Sequence, residues 1–151
     1  MKWTIFLLSA LFIFSSFAIY SLDDVRANYS QLATDKKMCS ELLAQLEKNK
    51  DQSATHLPYL GGLQTIWANH VLNPLSKLNT FNKGKKDIEL AIEQEPNNAE
   101  LRLIRLSVQK NAPNFLGYHY NIKEDIQFIK NNRSQIKSNV INQYIESLLK
   151  D

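Results

Sequence analysis

The sequence holds a single cysteine, Cys39, so neither an internal disulfide nor a cysteine-based structural zinc site can form. Glycine and proline are scarce, four of each, too few for the turn-dense hairpins of a β-sandwich or for a disordered linker. An excess of one charge is lacking as well. Lys and Arg number 18 against 15 Asp and Glu, a net +3 that falls far short of the basic stripe of a dedicated nucleic-acid binder, so no DNA or RNA partner is expected. There is no Gly-x-Ser-x-Gly elbow, no phosphate-binding loop and no Gly-x-Gly-x-x-Gly. His56, His70 and His119 lie far apart, and no His-x-x-x-His pair sets two imidazoles on one helical face. The expectation is a protein without catalytic residues, metal or cofactor. Its 151 residues suffice for one ordinary domain stabilised by packing.

What is present begins with an address. Met1 and Lys2 are followed by an uncharged run from Trp3 to Leu22 centred on Ile5-Phe6-Leu7-Leu8 and Ala10-Leu11-Phe12-Ile13-Phe14. A positive start, an apolar stretch and small residues Ser16 and Ala18 read as a signal peptide, residues 1–18, cleaved after Ala18. Residues 19–151 are then one exported helical domain, periplasmic or secreted. The alternative is an uncleaved anchor, since about 20 apolar residues can span a bilayer. Membrane contact is expected only in that case. Lys2 on one side and Asp23 and Asp24 on the other leave the rest of the chain on the non-cytoplasmic side in both readings.

The remainder reads as all-α, six to seven helices in antiparallel pairs. Ser21 and Asp24 form a capping box ahead of Leu22, Val25, Tyr29 and Leu32, a helical spacing. Met38, Leu42, Leu43 and Leu46 continue to about Lys50, with Thr34-Asp35-Lys36-Lys37 read as a break between two helices. After a polar linker, Pro58 fits the first turn of a helix through Leu63, Trp67, His70 and Val71, which Asn73-Pro74 ends. Leu75 to Asn82 reads as a short helical or looped connection, and Ile88, Ala91 and Ile92 mark a helix that stops at Glu95-Pro96. Leu101 to Val108 alternates partly as a strand would, but the Asn97-Asn98-Ala99-Glu100 cap favours a largely buried helix. Asn121 and Glu124 repeat the cap pattern for a short helix, and Ser134 to Lys150 is the most regular amphipathic stripe.

Leu60-Gly61, followed by Ile88, Ala91 and Pro96, resembles the Leu-Gly of the first helix and the large, small and terminal proline positions of the second helix in a tetratricopeptide repeat. The resemblance implies a helical bundle of that kind. Ala91 lies 30 positions after Gly61 where the regular repeat has 19, and Arg102 and Arg105 stand where the next unit would place aromatic and leucine residues. The order of the first segment, Leu60-Gly61-Gly62, Phe81-Asn82-Lys83-Gly84-Lys85-Lys86, Glu95-Pro96-Asn97-Asn98 and Asn114-Phe115-Leu116-Gly117-Tyr118 is similar to small exported proteins of Bacteroidota bacteria. That resemblance implies an envelope setting and supplies no catalytic residue.

Two groups of residues carry the candidate binding chemistry. Arg102 and Arg105, three apart on an otherwise apolar helix, can fork around a carboxylate or phosphate; pairing with internal Asp or Glu is the simpler reading. Phe115, Tyr118, His119 and Tyr120 form an aromatic loop beside Gly117, able to line a pocket or to be pinned onto the helices by its rings. Lys77, Lys83, Lys85 and Lys86 make a local basic cluster able to touch anionic lipid or polysaccharide, with a solvated helix start as the default reading. The function expected is an exported interaction or scaffold module with a protein partner. A small-molecule or lipid-headgroup binder using a pocket near Phe115–Tyr120 is the alternative.

Overall fold

The computed structural model describes residues 21–49 and 53–150. The expected signal segment and its cleavage point fall outside them. The described residues form an all-α bundle of seven helices: α1 (Leu22–Asn28), α2 (Lys36–Asn49), α3 (Leu57–Ala68), α4 (Pro74–Gln94), α5 (Ala99–Asn111), α6 (Ile122–Asn131) and α7 (Asn139–Leu149), with short 3-10 turns at Tyr29–Gln31, Asn114–Leu116 and Arg133–Gln135. No helix of the described residues is long and apolar enough to cross a membrane.

The helix starts follow from their caps. Ser21 accepts from the Asp24 N–H while Asp24 accepts from the Ser21 N–H at 2.6 Å, so the expected box closes α1. Two helices do form, but the break lies at Leu32–Asp35, and Lys36 and Lys37 already belong to α2, at whose start the Asp35 carboxylate accepts the Met38 N–H at 2.9 Å. Asn73-Pro74 acts differently from expectation: α3 already ends at Ala68, with His70 and Val71 beyond it, and Asn73-Pro74 opens the next helix rather than closing this one. The Asn73 side chain accepts the Ser76 N–H at 3.0 Å and Pro74 sits at the first helical position, so Leu75–Asn82 and Asp87–Glu93 belong to one 21-residue helix.

Two further starts differ. Asn121 makes no side-chain cap bond; its side-chain oxygen Oδ1 accepts from Gln109 Nε2 at 3.3 Å instead. The last helix begins at Asn139, capped by Ser138, because Arg133–Gln135 closes a separate 3-10 turn that buries Ile136 ahead of it.

α5 forms the wall between two apolar clusters. Leu101, Ile104 and Val108 face the cluster of α1 to α4, which includes Leu32, Cys39, Leu42, Leu57, Leu63 and Ile88. Ala99, Leu103 and Leu106 face a second cluster with Ile129 of α6 and Ile141, Ile145 and Leu148 of α7. A helix that serves two cores loses strand-like ambiguity, because apolar residues all round it are what burial on both sides requires.

α3 and α4 pack most closely. A methyl placed on Gly61 would stand 2.5 Å from the Gly84 carbonyl oxygen and 2.8 Å from Ile88 Cγ1, so glycine on both helices lets the backbones meet. Gly61→Ala is therefore expected to lower unfolding free energy by about 1–3 kcal/mol, even though alanine favours an isolated helix by about 1 kcal/mol. Urea melts check this, and an unchanged midpoint would show that the two backbones are not in contact.

Cys39 is fully buried, and burial pushes its thiol up to about 11, with Asp35 adding to the effect. The native protein is expected to resist iodoacetamide at about pH 8 and to take up one equivalent once unfolded. Mass spectrometry reads the difference, and rapid native alkylation would contradict the packing of α2 on α3.

Candidate functional site

Residues expected to carry binding are brought together by α5, α6 and the loop between them, but they point in different directions. Arg105, 4% exposed, donates from Nε to Asp125 Oδ2 and from Nη2 to Asp125 Oδ1, both at 2.7 Å. This two-pronged pair lies inside the protein, since Asp125 is 0% exposed. The remaining Arg105 nitrogen, Nη1, donates to Glu89 of α4 at 2.9 Å. Burial alone lowers the affinity of Arg105 for its proton; the bonds and charges of Asp125 and Glu89 outweigh this and hold the group firmly cationic.

Arg102 sits one turn earlier. Its Nη1 donates to Glu124 at 2.8 Å and to Asp125 Oδ1 at 3.1 Å, its Nη2 reaches the Pro96 carbonyl at 3.2 Å, and its guanidinium lies 4.8 Å from the Phe128 ring centroid. The bond from Arg102 lowers the Glu124 pKa below the usual carboxylate range. Both arginines thus face internal carboxylates.

The aromatic loop divides at Gly117, whose φ of 62° is left-handed and suits glycine. Tyr118 turns inward, buried, and donates to the second oxygen of Glu89 at 2.6 Å. Its ring meets Phe81 edge-on at 6.1 Å and lies under the Lys85 ammonium at 4.9 Å. Burial and the bond to Glu89 raise its pKa far above the ordinary tyrosine value. Phe115 and Tyr120 turn outward, 86% and 81% exposed, and exposed His119 lies against Tyr120 with ring centroids 4.7 Å apart.

Glu89 is the hinge of this arrangement: one carboxylate joins Arg105 and Tyr118, so α4, α5, α6 and the loop meet at one network. Glu89 and Asp125 were not among the expected site residues. Their sequence signal is only that each lies on a helical face beside apolar residues, Glu89 next to Ile88 and Asp125 next to Ile126.

Two clefts lie elsewhere. An open one of about 450 Å³ is lined by Glu95, Pro96, Asn98, Glu100, Gln135 and Ile136, and a smaller one by Arg26, Tyr29, Tyr59 and Tyr144 among others. None of the six expected binding residues lines either. In the smaller cleft Arg26 and Tyr59 both donate to Glu100, a second buried link between α1, α3 and α5. Among the described residues no group of three or more His, Cys, Asp or Glu is placed to hold a metal ion.

Removing the Asp125 charge leaves Arg105 in apolar surroundings with Glu89 as its main counter-charge. Asp125→Asn is expected to cost about 3–5 kcal/mol of stability in urea unfolding. An Arg105→Met, Asp125→Leu double variant is expected to lose clearly less than the sum of the two single changes. A single-variant loss under about 1 kcal/mol would show that the pair is hydrated.

No protein-family model, no curated protein and no solved structure matches this chain, so its chemistry is read from these residues alone.

Proposed function

We propose that this is an exported, non-enzymatic interaction module of the bacterial envelope, and that a protein partner docks on the Phe115–Tyr120 loop. The observation that carries the reading is the pair of outward rings, Phe115 and Tyr120, on a loop fixed from beneath by Tyr118. Large rigid aromatics at the surface supply contact area with little loss of side-chain freedom, and aromatic residues dominate the energetics of protein interfaces. The anchoring matters equally. A loop already held by a buried tyrosine, a carboxylate and a lysine is ordered before the partner arrives, which reduces the entropic cost of docking.

Support for the envelope setting comes from the first segment, with its positive start, apolar centre and Ser16 and Ala18. The antiparallel α3 and α4 pair, with glycine at its crossing, supports a helical scaffold related to tetratricopeptide pairs. In this reading the helices display the loop and perform no chemistry.

Affinity capture from native envelope extract, with the purified protein compared to a Phe115→Ala, Tyr120→Ala variant of matched helicity, tests the proposal. Both changed side chains are exposed, so the fold is expected to persist. Loss of two aromatic anchors is expected to weaken the captured partner by more than about 30-fold. A partner retained at equal strength would move the docking surface away from the loop.

A further inference from the structure

The α3–α4 hairpin ends in a protrusion that the aromatic loop does not explain. From Leu72 to Asn79 every residue is exposed, so the first turns of α4 extend past their packing partners. Leu72 is 97% exposed and Leu75 68%, and Leu78 follows one turn after Leu75 on the same face. Nothing in the caps or the core requires leucine at these positions.

Along this segment of the chain the charge has one sign, the acids nearby being Asp35, next to Lys36, and Glu47, paired with Lys83, at the two ends of α2. Residues 52–86 contain no Asp or Glu but four lysines. Lys77 lies among the exposed leucines, and Lys83, Lys85 and Lys86 follow along α4. Lys36, at the start of α2, lies 5.7 Å from the ring centroid of Trp67 in the last turn of α3, so a further lysine stands near the same end. Lys83 is paired with Glu47 at 3.1 Å and Lys85 covers Tyr118, whereas Lys77 projects from the protruding turns themselves.

We infer that this tip docks on an anionic membrane surface, with Leu72, Leu75 and Leu78 entering the boundary between headgroups and acyl chains and Lys77 reaching the lipid phosphates. Exposed leucines with an exposed lysine between them suit a fluid anionic surface. They suit a protein interface poorly, because lysine is depleted there and leucine is under-represented among the residues that dominate binding. The contact is independent of the first segment and of the protein-partner reading: the loop is anchored deeper on α4, at Phe81 and Lys85, and stays available when the tip is seated.

The test places an environment-sensitive nitrobenzoxadiazole label on the full chain at Asn79→Cys, beside Leu75 and Leu78. The fully buried Cys39 stays unlabelled. Phosphatidylcholine vesicles containing about a quarter phosphatidylglycerol are expected to shift the label's emission to the blue. Pure phosphatidylcholine, or about 1 M salt with its screening length of about 3 Å, is expected to abolish most of the shift. Lys77→Gln is expected to weaken vesicle binding at the tip about fivefold, and Leu75→Ser, Leu78→Ser by tenfold or more.

An unshifted label on chains that nevertheless sediment with vesicles would overturn the inference, since the first segment would then be the sole attachment. A shift that ignores lipid charge and salt would overturn it too. So would a label shifted by envelope protein extract and not by vesicles, which would make the tip part of a protein interface. Failure here leaves the capture experiment on Phe115 and Tyr120 untouched, and the reverse holds.

Discussion

The buried pair of Arg105 and Asp125 is the constraint around which the other elements are arranged. α5 faces two apolar cores, and its remaining face has to go somewhere as well. An arginine left in that position without a partner would be costly, so α6 must present Asp125 opposite it, and only one register of α6 does so. Such a pair contributes little net stability compared with two apolar residues of the same size, but loss of either member alone is severe. Its consequence is therefore selection. Sliding α6 by one turn would draw Asp125 out of the Arg105 fork and leave that buried guanidinium with Glu89 alone.

From that pair the arrangement spreads outward through single carboxylates shared between donors. Glu89 takes Arg105 on one oxygen and Tyr118 on the other, so the position of the loop is set by the same charge that sets α6. Glu100 also joins two elements, receiving Arg26 of α1 and Tyr59 of α3 on a single oxygen, Oε1. The close approach of Gly61 and Gly84 then fixes how far α4 extends past α3. At 12 and 21 residues these helices are about 18 and 31 Å long. The longer one must protrude, and its N-terminal leucines are left in water.

Much of this was legible in the sequence wherever the cause is local. Ser21 with Asp24, and the break before α2, depend on neighbours a few residues away, and the structure follows them. Asn73-Pro74 was harder because a proline that ends one helix is equally able to begin the next, and only the Asn73 bond to Ser76 distinguishes the two. The exposed Leu75 and Leu78 among Ser76, Lys77 and Asn79 gave a weak pattern, since the helix there has no core to face. Asn121 failed as a cap because its side-chain oxygen Oδ1 instead accepts from Gln109, on another helix. The candidate site divides the same way. Arginines on an apolar helix and rings beside a glycine are visible from the chain, whereas Asp125 and Glu89 lie 20 and 16 residues from Arg105 and meet it only once the helices pack. That Tyr118 turns inward and Phe115 outward depends on the left-handed turn at Gly117 and on the carboxylate waiting beneath it.

Saturation of the Arg105 guanidinium decides what a ligand could gain there. Nε, Nη1 and Nη2 of Arg105 each already donate to a carboxylate, so a ligand anion at this position would first have to displace one of them. Displacement would leave Asp125 with Arg102 alone or Glu89 with Tyr118 alone, a loss that offsets what the new contact returns. Groups that are hydrated in the free protein carry no such penalty. The rings of Phe115 and Tyr120 and the leucines of the α4 tip release water when covered and break no internal bond. The network of Arg105, Asp125, Glu89 and Tyr118 therefore holds the loop that carries Phe115 and Tyr120 in fixed relation to α4 and α6.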